Sequence, residues 1–229
     1  MMKSIAQSEL DRKRFVYSDI GFILLQQVVE AVTGKTLDAY LVSEFYRPMG
    51  LEHTLFQPLN RYKKADIMPT AANDYLRRQD LCGYVYDEAA AFMGGVSGNA
   101  GLFSTAQELG KIYQMILNEG ELDGKRYLRP ETCRIFTTEK SAVSHRGLGY
   151  DKPNLKDTKA NACASSAPAS VYGHTGFTGT CAWVDPENDL VYIFLSNRLC
   201  PDAWNGKLNS MKIRQAIQEV IYQSLYTPE

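Results

Sequence analysis

Residues 171–198 read VYGHTGFTGTCAWVDPENDLVYIFLSNR, and this stretch decides the predicted fold class. Three segments of it, residues 171–176, 179–184 and 190–196, are rich in β-branched and aromatic residues and are bounded by turn-forming residues. The turn DPEND at residues 185–189 joins the last two segments. We therefore predict three strands that form an antiparallel meander.

Helical spacing of apolar residues dominates the start of the chain. The first helix lies between a cap at Ser18 or Asp19 and a stop at Gly34. A second helix begins after Thr36 and ends at Pro48. The apolar residues that recur at helical spacing in the first helix are Ile20, Ile23, Leu24, Val28 and Val32.

Weaker signals lie between these helices and the strands. Residues 49–90 carry turn residues and mixed polarity, which favour an irregular segment with short helices. The capping-box pair Thr105 and Glu108 starts another helix, and Pro130 starts a short one. Residues 147–150 are compatible with a short strand.

A closing helix is predicted over residues 209–226, with these side chains facing inward: Ile213, Ile217, Val220, Ile221 and Leu225. Helices, an antiparallel meander and a closing helix, in this order, indicate an α+β fold rather than alternating βαβ units. The 229 residues fit one domain. We divide it into a mainly helical lobe at about 15–145 and a part with strands and the closing helix at about 146–229.

Composition argues against several function classes. The 25 Lys and Arg residues balance 26 Asp and Glu residues, so no nucleic-acid partner is expected. No apolar run approaches the roughly 20 residues that a membrane span needs, and no signal peptide is recognised. The five cysteines lack C-x-x-C spacing and the three histidines lack metal-ligand spacing. We expect mostly reduced thiols and neither a metal nor a cofactor.

Two short motifs resemble known sites but lack an essential part. The tripeptide GKT at residues 34–36 matches the end of a P-loop, yet Val29 stands where the first glycine is required. Ser97 lies in GVSGN at residues 95–99, where Asn99 breaks the G-x-S-x-G nucleophile elbow. We therefore expect no nucleotide binding and no nucleophile at Ser97, and we interpret the glycines as turn residues.

Two constellations remain. Tyr17-Ser18-Asp19 lies at the mouth of the first helix, and YGHTGFTG at residues 172–179 lies on a strand. In this order, followed by a closing helix, they resemble the serine β-lactamase and penicillin-binding protein superfamily. The class C-like branch is most similar, including lactamase-like esterases and D-alanyl-D-alanine carboxypeptidases. Residues 21–58 and GGVSGNAGLFST at 94–105 agree as well, so the resemblance covers nearly the whole chain.

This resemblance implies a fold and a mechanism. The fold is an antiparallel sheet flanked by helices, and the reaction is acyl transfer through a serine acyl-enzyme. Such enzymes combine a serine with a lysine one helical turn later, a Tyr-x-Asn or Ser-x-Asn element and a Lys/His-Thr-Gly strand. Two backbone N–H groups bind the oxyanion. The resemblance also suggests an exported or periplasmic location.

The tyrosine motif receives its roles from this resemblance. Tyr17 is the proton-transfer residue beside the serine, and a nearby ammonium lowers the pKa of its phenol. Asp19 stands where the family often has asparagine, and it holds the lysine or a substrate amide. Two positions depart from the branch, because Tyr86 and Asn99 stand where histidines are expected.

The strand motif receives its roles in the same way. His174 takes the place of the usual lysine, and Thr175 hydrogen-bonds a substrate carboxylate. Gly176 completes the substrate-binding strand. The N–H of Phe177 is one of the oxyanion donors. The expected partner is therefore a small-molecule or peptide acyl substrate.

The decisive departure is an absence. No serine of the chain has a lysine three residues later, and TTEK at 137–140 has that spacing only from a threonine. A serine hydroxyl without an adjacent base is a poor nucleophile. In the family the S-x-x-K helix, an N-terminal helix and two strands precede the tyrosine motif. We therefore expect a partial domain that begins inside the fold and lacks these elements.

Two functions from different classes follow. The first is a hydrolase of esters or D-amino-acid peptides from cell-wall material, inactive as this chain alone. β-Lactams fit less well, because His174 is a weaker fixed positive charge than lysine. The second is a non-catalytic binding or assembly module, a truncated remnant of the same fold. An in-frame S-x-x-K encoded upstream favours the first function, and a stop codon favours the second.

The strand at 190–196 raises a further expectation. In the family it lies mid-sheet and pairs with the first strand, so its edge is expected to present free N–H and C=O groups here. The closing helix is expected to expose an apolar strip around Ile217 and Ile221. We expect self-association through this strand. The alternative is that residues 1–13 fold over the edge.

Overall fold

The computed structural model describes residues 2–9, 15–157 and 160–226. The helices in these ranges are α1 (Met2–Ala6), α2 (Ile20–Thr33), α3 (Leu37–Leu41), α4 (Glu88–Phe92), α5 (Ala106–Leu117), α6 (Pro130–Thr138), α7 (Lys207–Ser210) and α8 (Ile213–Tyr226). The strands are β1 (Leu55–Phe56), β2 (Pro69–Asp74), β3 (Gln79–Cys82), β4 (Leu102–Phe103), β5 (Glu121–Leu122), β6 (Lys125–Arg126), β7 (Tyr172–Thr175), β8 (Cys181–Asp185) and β9 (Leu190–Phe194). A π-helical turn (Val42–Tyr46) continues α3, and 3-10 turns lie at Pro58–Asn60 and Lys64–Asp66.

Strands β7, β8 and β9 form the predicted antiparallel meander, in that order across the sheet. The register places His174 opposite Ala182, and Trp183 opposite Tyr192. Gly173 leaves no room for a side chain, because a β carbon would lie 2.1 Å from the Ala182 carbonyl oxygen and 2.6 Å from the Trp183 ring. All residues of β8 are buried, as befits the central strand.

A hydrophobic core lies between this meander and α8. Buried Trp183, Tyr192 and Tyr222 form it together with the loop residues Cys163 and Val171. Burial of apolar surface contributes about 25 cal/mol for each Å² removed from water, so these aromatic side chains contribute strongly. The meander and α8 therefore form a packed platform for the residues at the end of β7.

The turn between β8 and β9 is tied to α8 through Asp185, which is 1% exposed. Its carboxylate accepts hydrogen bonds from the Glu187 N–H at 2.9 Å, the Asn188 amide at 2.7 Å and the Tyr222 hydroxyl at 2.9 Å. Burial, and next the Asp185 carboxylate, raise the pKa of Tyr222 well above its usual value. The predicted turn is confirmed, and its first residue is fully hydrogen-bonded although it is buried.

Helix α2 begins after Asp19 and ends at Gly34 as predicted, and Gly34 adopts the left-handed conformation at φ 68°. Its apolar residues lie on two faces. Ile23 is buried and lies near buried Gln26. The remaining apolar residues of the pattern are exposed and form a stripe at four-residue spacing: Ile20, Leu24, Val28 and Val32. The described residues leave this α2 stripe open to solvent.

The inward face of α8 differs from the prediction. Gln218 and Tyr222 are buried and face the core. Of the predicted inward residues, Ile221 packs against this core as predicted and Ile213 is half-buried. Ile217, Val220 and Leu225 are instead 36%, 63% and 49% exposed. Apolar residues lie around most of this helix, so their spacing could not identify the face that packs on the sheet.

The segment over residues 49–90 contains a hairpin where an irregular chain was predicted. Strands β2 and β3 pair antiparallel, but register shifts interrupt the alternation of their side chains, which hides the strands in the sequence. Asp74 accepts hydrogen bonds from the Arg77 N–H at 2.7 Å and Nε at 3.0 Å. Arg77 also donates to the carbonyl oxygens of Val85 and Tyr86, and this fixes a segment that lines the site.

Residues 147–150, all of which the structure describes, form no strand, because the chain there makes only isolated bridges. One bridge joins Asp151 to Gly173 of β7. The Asp151 N–H donates to the Gly173 carbonyl at 2.7 Å, and the Gly173 N–H donates back at 3.1 Å. Among the residues that the structure describes, strand β7 therefore pairs with β8 on one side and makes this isolated bridge on the other.

Half of the predicted capping box forms at the start of α5. The Thr105 hydroxyl oxygen accepts a hydrogen bond from the Glu108 N–H at 3.3 Å. The Glu108 carboxylate instead accepts from the N–H of Glu52 at 2.9 Å, the N–H of His53 at 3.0 Å and the Thr54 hydroxyl at 2.6 Å. Burial raises the pKa of Glu108, but the hydrogen bonds from Thr54 and His53 outweigh it and lower the pKa. Glu108 thus joins α5 to the loop before β1.

The five cysteines are free thiols, four of them buried and Cys200 half-buried. Over residues 2–9, 15–157 and 160–226, no helix is long and apolar enough to cross a membrane. No group of three His, Cys, Asp or Glu side chains within the same ranges is placed to hold a metal ion.

Candidate active site

A cleft of about 890 Å³ opens between the helical part of the chain and the carboxyl end of β7. Every residue to which the resemblance assigns a role lines this cleft: Tyr17, Asp19, His174, Thr175, Gly176 and Phe177. Tyr86 and Asn99, which stand where histidines are expected, line it too. Residues that are far apart in the chain therefore meet in one cavity of the size that binds small molecules.

Strand β7 brings His174 and Thr175 to the cleft. The His174 ring is held at both nitrogens. Nδ1 lies 2.7 Å from the Thr175 carbonyl oxygen, and Nε2 lies 2.7 Å from Nη1 of Arg146. A carbonyl only accepts and a guanidinium only donates, so the hydrogen-bond pattern assigns the proton to Nδ1. His174 is therefore a hydrogen-bonded neutral ring in this arrangement and not a fixed cation.

Arg146 is a residue of this site that sequence reasoning missed. Its guanidinium carbon lies 4.8 Å from the centroid of the Tyr17 ring, and its Nη1 lies 2.7 Å from Oδ1 of Asp151. The contact with Asp151 is an ion pair whose angles are not those of a hydrogen bond. A lone arginine in the sequence RGLGY carries no spacing that marks a site, so the signal was too weak to find it.

Tyr17 lies ahead of α2 with its side chain 57% exposed. Its ring is 6.4 Å from the His174 ring, with an angle of 35° between their planes. Partial burial raises the pKa of the Tyr17 phenol, the Asp19 carboxylate raises it further, and Arg146 opposes both. The predicted lowering of this pKa depends on a lysine ammonium that the described residues do not supply, so it stays a prediction; among the described residues, burial and acidic neighbours outweigh the guanidinium.

Asp19 faces a second carboxylate, that of Asp87. Burial raises the pKa of Asp19, Asp87 raises it further, and a hydrogen bond with Asn99 opposes them. Asn99 also donates to Asp87 at 3.1 Å and accepts from the Ser97 hydroxyl at 2.6 Å. Ser97 is 2% exposed, so it is inaccessible to a substrate, in agreement with the rejected nucleophile elbow. Two neighbouring carboxylates form a favourable place for a cation.

The turn after β7 positions the backbone N–H of Phe177. The Gly176 N–H donates to the Thr180 carbonyl at 2.8 Å, and the Gly179 N–H donates to the Gly176 carbonyl at 3.1 Å. Gly179 has φ 119°, and a β carbon there would lie 2.7 Å from the Ser196 hydroxyl oxygen, so this position requires glycine. The Phe177 N–H donates to no group among the residues that the structure describes. It is therefore free to bind an oxyanion.

Aromatic contacts close one side of the cleft. The Tyr86 and Phe177 rings stack at a centroid distance of 5.3 Å and an angle of 13°. The Arg198 guanidinium carbon lies 4.3 Å from the Phe177 ring centroid, and its Nε donates to the Phe177 carbonyl at 2.6 Å. Tyr86, where a histidine is expected, thus supports the turn that carries the free N–H.

A model of the beta-lactamase family matches residues 1–210. The chain belongs to the beta-lactamase family. Its combination of helices and an antiparallel sheet is that of the serine β-lactamase and penicillin-binding protein superfamily, which confirms the resemblance. The α+β fold class predicted from the sequence is confirmed as well.

A relative in Escherichia coli K12 is named as a candidate D-alanyl-D-alanine carboxypeptidase. It is 38% identical over 197 residues, which cover 81% of this beta-lactamase-family chain and 45% of the relative. The chain spans about half the length of the curated relatives that it matches.

Solved structures share the fold. A beta-lactamase from Mycobacterium bovis aligns with a TM-score of 0.60 at 20% identity, over 92% of this chain and 64% of that one. An octameric penicillin-binding protein homologue from Pyrococcus abyssi aligns with a TM-score of 0.57 at 19% identity, over 93% of this chain and 46% of that one. At these identities the likeness concerns the fold alone.

Proposed function

We propose that this chain carries the substrate-binding and proton-transfer half of a serine hydrolase site that works through an acyl-enzyme. The observation that carries the proposal is the single cleft shared by Tyr17, Asp19 and the end of β7. The family is one of serine hydrolases, whose site combines such a tyrosine motif with a Lys/His-Thr-Gly strand. The nucleophilic serine and its lysine would then belong to a segment outside residues 1–229.

The serines that line the cleft do not suit the role of nucleophile. The Ser196 hydroxyl donates to the Gly179 carbonyl at 2.7 Å. The Ser104 oxygen lies 2.7 Å from the Thr54 hydroxyl, which donates its own proton to Glu108. Neither serine has a lysine three residues later. A hydroxyl without an adjacent base is a poor nucleophile at neutral pH. The surroundings of these two serines therefore support a nucleophile that comes from another segment.

Two features support a docking place for the segment with the nucleophile. The open α2 stripe lies on the helix that begins beside the cleft, and an apolar helix face is stabilised by a packed neighbour. The carboxylates of Asp19 and Asp87 provide a place for a lysine ammonium. An ammonium there lowers the pKa of Tyr17, which the described residues alone hold high.

The proposed reaction assigns one step to each group. Tyr17 takes the proton of the attacking serine hydroxyl and later delivers it to the leaving group. The Phe177 N–H and the N–H of the serine itself stabilise the oxyanion. His174 and Thr175 hold the substrate along β7, and Asp19 orients the lysine or a substrate amide. Water then hydrolyses the acyl-enzyme.

Neutral esters fit the charges of the described cleft better than β-lactams, whereas D-amino-acid peptides, the other proposed substrates, carry a carboxylate as β-lactams do. The name of the Escherichia coli relative favours a cell-wall peptide. His174 is engaged with Arg146 and Thr175 and does not provide a fixed cation. The charged side chains that line the described cleft are all acidic: Asp19, Asp87 and Glu88. An anionic substrate therefore finds little electrostatic attraction from these residues.

A completed enzyme tests the acyl-enzyme mechanism. A segment that carries S-x-x-K, taken from another member of the beta-lactamase family, is added in cis or in trans as the donor segment. We expect a p-nitrophenyl ester, whose good leaving group makes acylation faster than hydrolysis of the acyl-enzyme, to release one equivalent of p-nitrophenol in a burst before the steady state. A donor with alanine in place of the serine is the control and gives no burst. Turnover without a covalent adduct in the intact mass would reject the mechanism.

Strand β9 favours a second candidate function, that of an assembly module. In the described part of the chain β9 is the edge of its sheet, and its outer side pairs with no strand. An edge of apolar residues with free backbone groups is a template for pairing with another chain. The fold also occurs in an octameric homologue from Pyrococcus abyssi.

We expect the chain without a donor segment to self-associate through β9, so light scattering should report a mass above that of one chain. Val191→Lys places a charge on this edge and should reduce the mass to that of a monomer. Val32→Lys is the matched control on the α2 stripe and should leave the mass unchanged. A monodisperse monomer whose amides at 190–196 resist hydrogen exchange would contradict self-association through this edge.

A further inference from the structure

We infer that Arg146 is a positioning residue that holds His174 and Tyr17 in their working orientations, an inference that rests on the proposed function of the cleft. Arg146 does not line the cleft itself. It contacts two of the residues that do, through one guanidinium group. It therefore acts on the substrate through these neighbours and is not a catalytic residue.

The contact with His174 fixes both the tautomer and the ring plane. With Nδ1–H donating to the Thr175 carbonyl at 2.7 Å, Nε2 has a lone pair that accepts from Arg146 at 2.7 Å. A ring with partners at both nitrogens is held in its rotamer and tautomer, as metal-ligating and catalytic histidines commonly are. Arg146 thus holds a neutral ring in one orientation at the wall of the cleft, at the position where the family resemblance expects a lysine.

The contact with Tyr17 places a cation on the ring face. The guanidinium carbon lies 4.8 Å from the ring centroid, within the range of a cation–π interaction. Tyr17 belongs to a segment without helix or strand, and its side chain is 57% exposed, so few other contacts hold it. The Arg146 guanidinium acts to lower the pKa of the Tyr17 phenol, although burial and Asp19 together raise this pKa by more. Arg146 thus favours both the orientation and the ionised form that proton transfer requires.

Arg146 is itself anchored to the strand that carries His174. Its ion-pair partner Asp151 is 4% exposed, and the backbone of Asp151 bridges to Gly173 of β7 in both directions. The Arg146 carbonyl also accepts a hydrogen bond from the Ser141 N–H at 2.7 Å. The cation therefore keeps a fixed position relative to β7, which is what a positioning residue requires.

Nuclear magnetic resonance tests this inference without turnover. The 229-residue chain has three histidines, so ¹⁵N-histidine labelling gives few signals, and an unlabelled donor segment adds none. We expect the wild type to show a neutral His174 with the proton on Nδ1. Arg146→Met should shift the Nε2 resonance and mix the two tautomers. Arg61→Met removes another arginine that lies over a tyrosine ring, that of Tyr62 at 5.4 Å, and should change neither.

Kinetics of the completed enzyme provide the second readout. Arg146→Met should lower kcat by about tenfold or more and change KM for a small neutral ester by less than about threefold, because the lost contacts orient the reacting groups. Arg146→Lys keeps an N–H that can donate to His174 but lacks the planar guanidinium. It should therefore restore the wild-type His174 tautomer but only part of the lost kcat. Removal of Arg146 alone leaves the buried Asp151 carboxylate with His145, whose Nε2 lies 3.6 Å from Oδ1, as its remaining ion-pair partner. The double variant R146M/D151N removes both charges. A loss of kcat in this variant therefore cannot be caused by a buried carboxylate that has lost its arginine partner.

Different results would refute the positioning role of Arg146 and the proposed acyl-enzyme function. If R146M and R146M/D151N keep the wild-type His174 signals and kcat, as Arg61→Met does, the positioning role is refuted. If wild-type completed enzyme forms no acyl adduct, the proposed function fails, and the histidine signals alone then decide whether Arg146 holds His174.

Discussion

Incubation of the 229-residue chain with a fluorophosphonate or a fluorescent penicillin is expected to leave every serine unlabelled. The physical reason is that no serine of residues 1–229 has a lysine three residues later. Ser97 is buried against Asn99, and the Ser104 and Ser196 hydroxyls are hydrogen-bonded to neutral groups. A proton-bearing hydroxyl in such surroundings attacks an acyl or phosphonyl centre very slowly. Nitrocefin and p-nitrophenyl esters should likewise show no turnover above background.

After addition of the donor segment, we expect each complex of chain and donor to carry one covalent label, whereas the chain alone carries none. Intact-mass spectrometry measures the stoichiometry for the chain alone, for the chain with donor, and for the chain with a donor whose serine is alanine. The third sample separates true acylation from a general effect of donor binding. Stoichiometric labelling of the chain alone would overturn the division of the site between two segments.

Tyr17→Phe in the completed enzyme is expected to lower the rate of acylation by ~10²–10⁴, the usual contribution of a positioned acid or base. The change removes one oxygen from an exposed ring, so its effect on the free energy of unfolding should be small. Stopped-flow measurement of the burst separates acylation from later steps. The expected loss therefore appears in the burst rate and not in the amount of folded protein.

Tyr84→Phe is the matched control for this change. Tyr84 is 58% exposed, nearly the same as Tyr17 at 57%, but it does not line the cleft. Its substitution should alter the acylation rate by less than about twofold. If Tyr17→Phe also changes the rate by less than about threefold, Tyr17 has no part in proton transfer.

Local rules made much of the fold predictable. The DPEND turn, the left-handed Gly34 and the glycines around His174 each meet a steric or hydrogen-bonding need that the sequence states directly. The same holds for the antiparallel meander, whose strands are short apolar runs between turns. The two motifs, each weak alone, were selected for their order along the chain, and their residues line one cleft.

Other features depend on contacts that no local pattern encodes. The β2–β3 hairpin escaped because its register shifts break the alternation of side chains. The exposed faces of α2 and α8 escaped because helical spacing reveals an apolar face but not whether anything covers it. Arg146 is brought to Tyr17 and His174 by the Asp151 bridge to β7, which joins distant parts of the chain. The raised pKa of Tyr17 likewise results from neighbours assembled only in three dimensions.

The central claim is that this chain supplies the tyrosine and strand motifs of a serine hydrolase site whose nucleophile lies on another segment. Peptide mapping of the fluorophosphonate adduct in the complex of chain and donor tests it most directly. We predict one adduct, on the serine of the donor S-x-x-K, and no adduct on any serine of residues 1–229. An adduct on Ser104, Ser196 or another serine of the chain would contradict it.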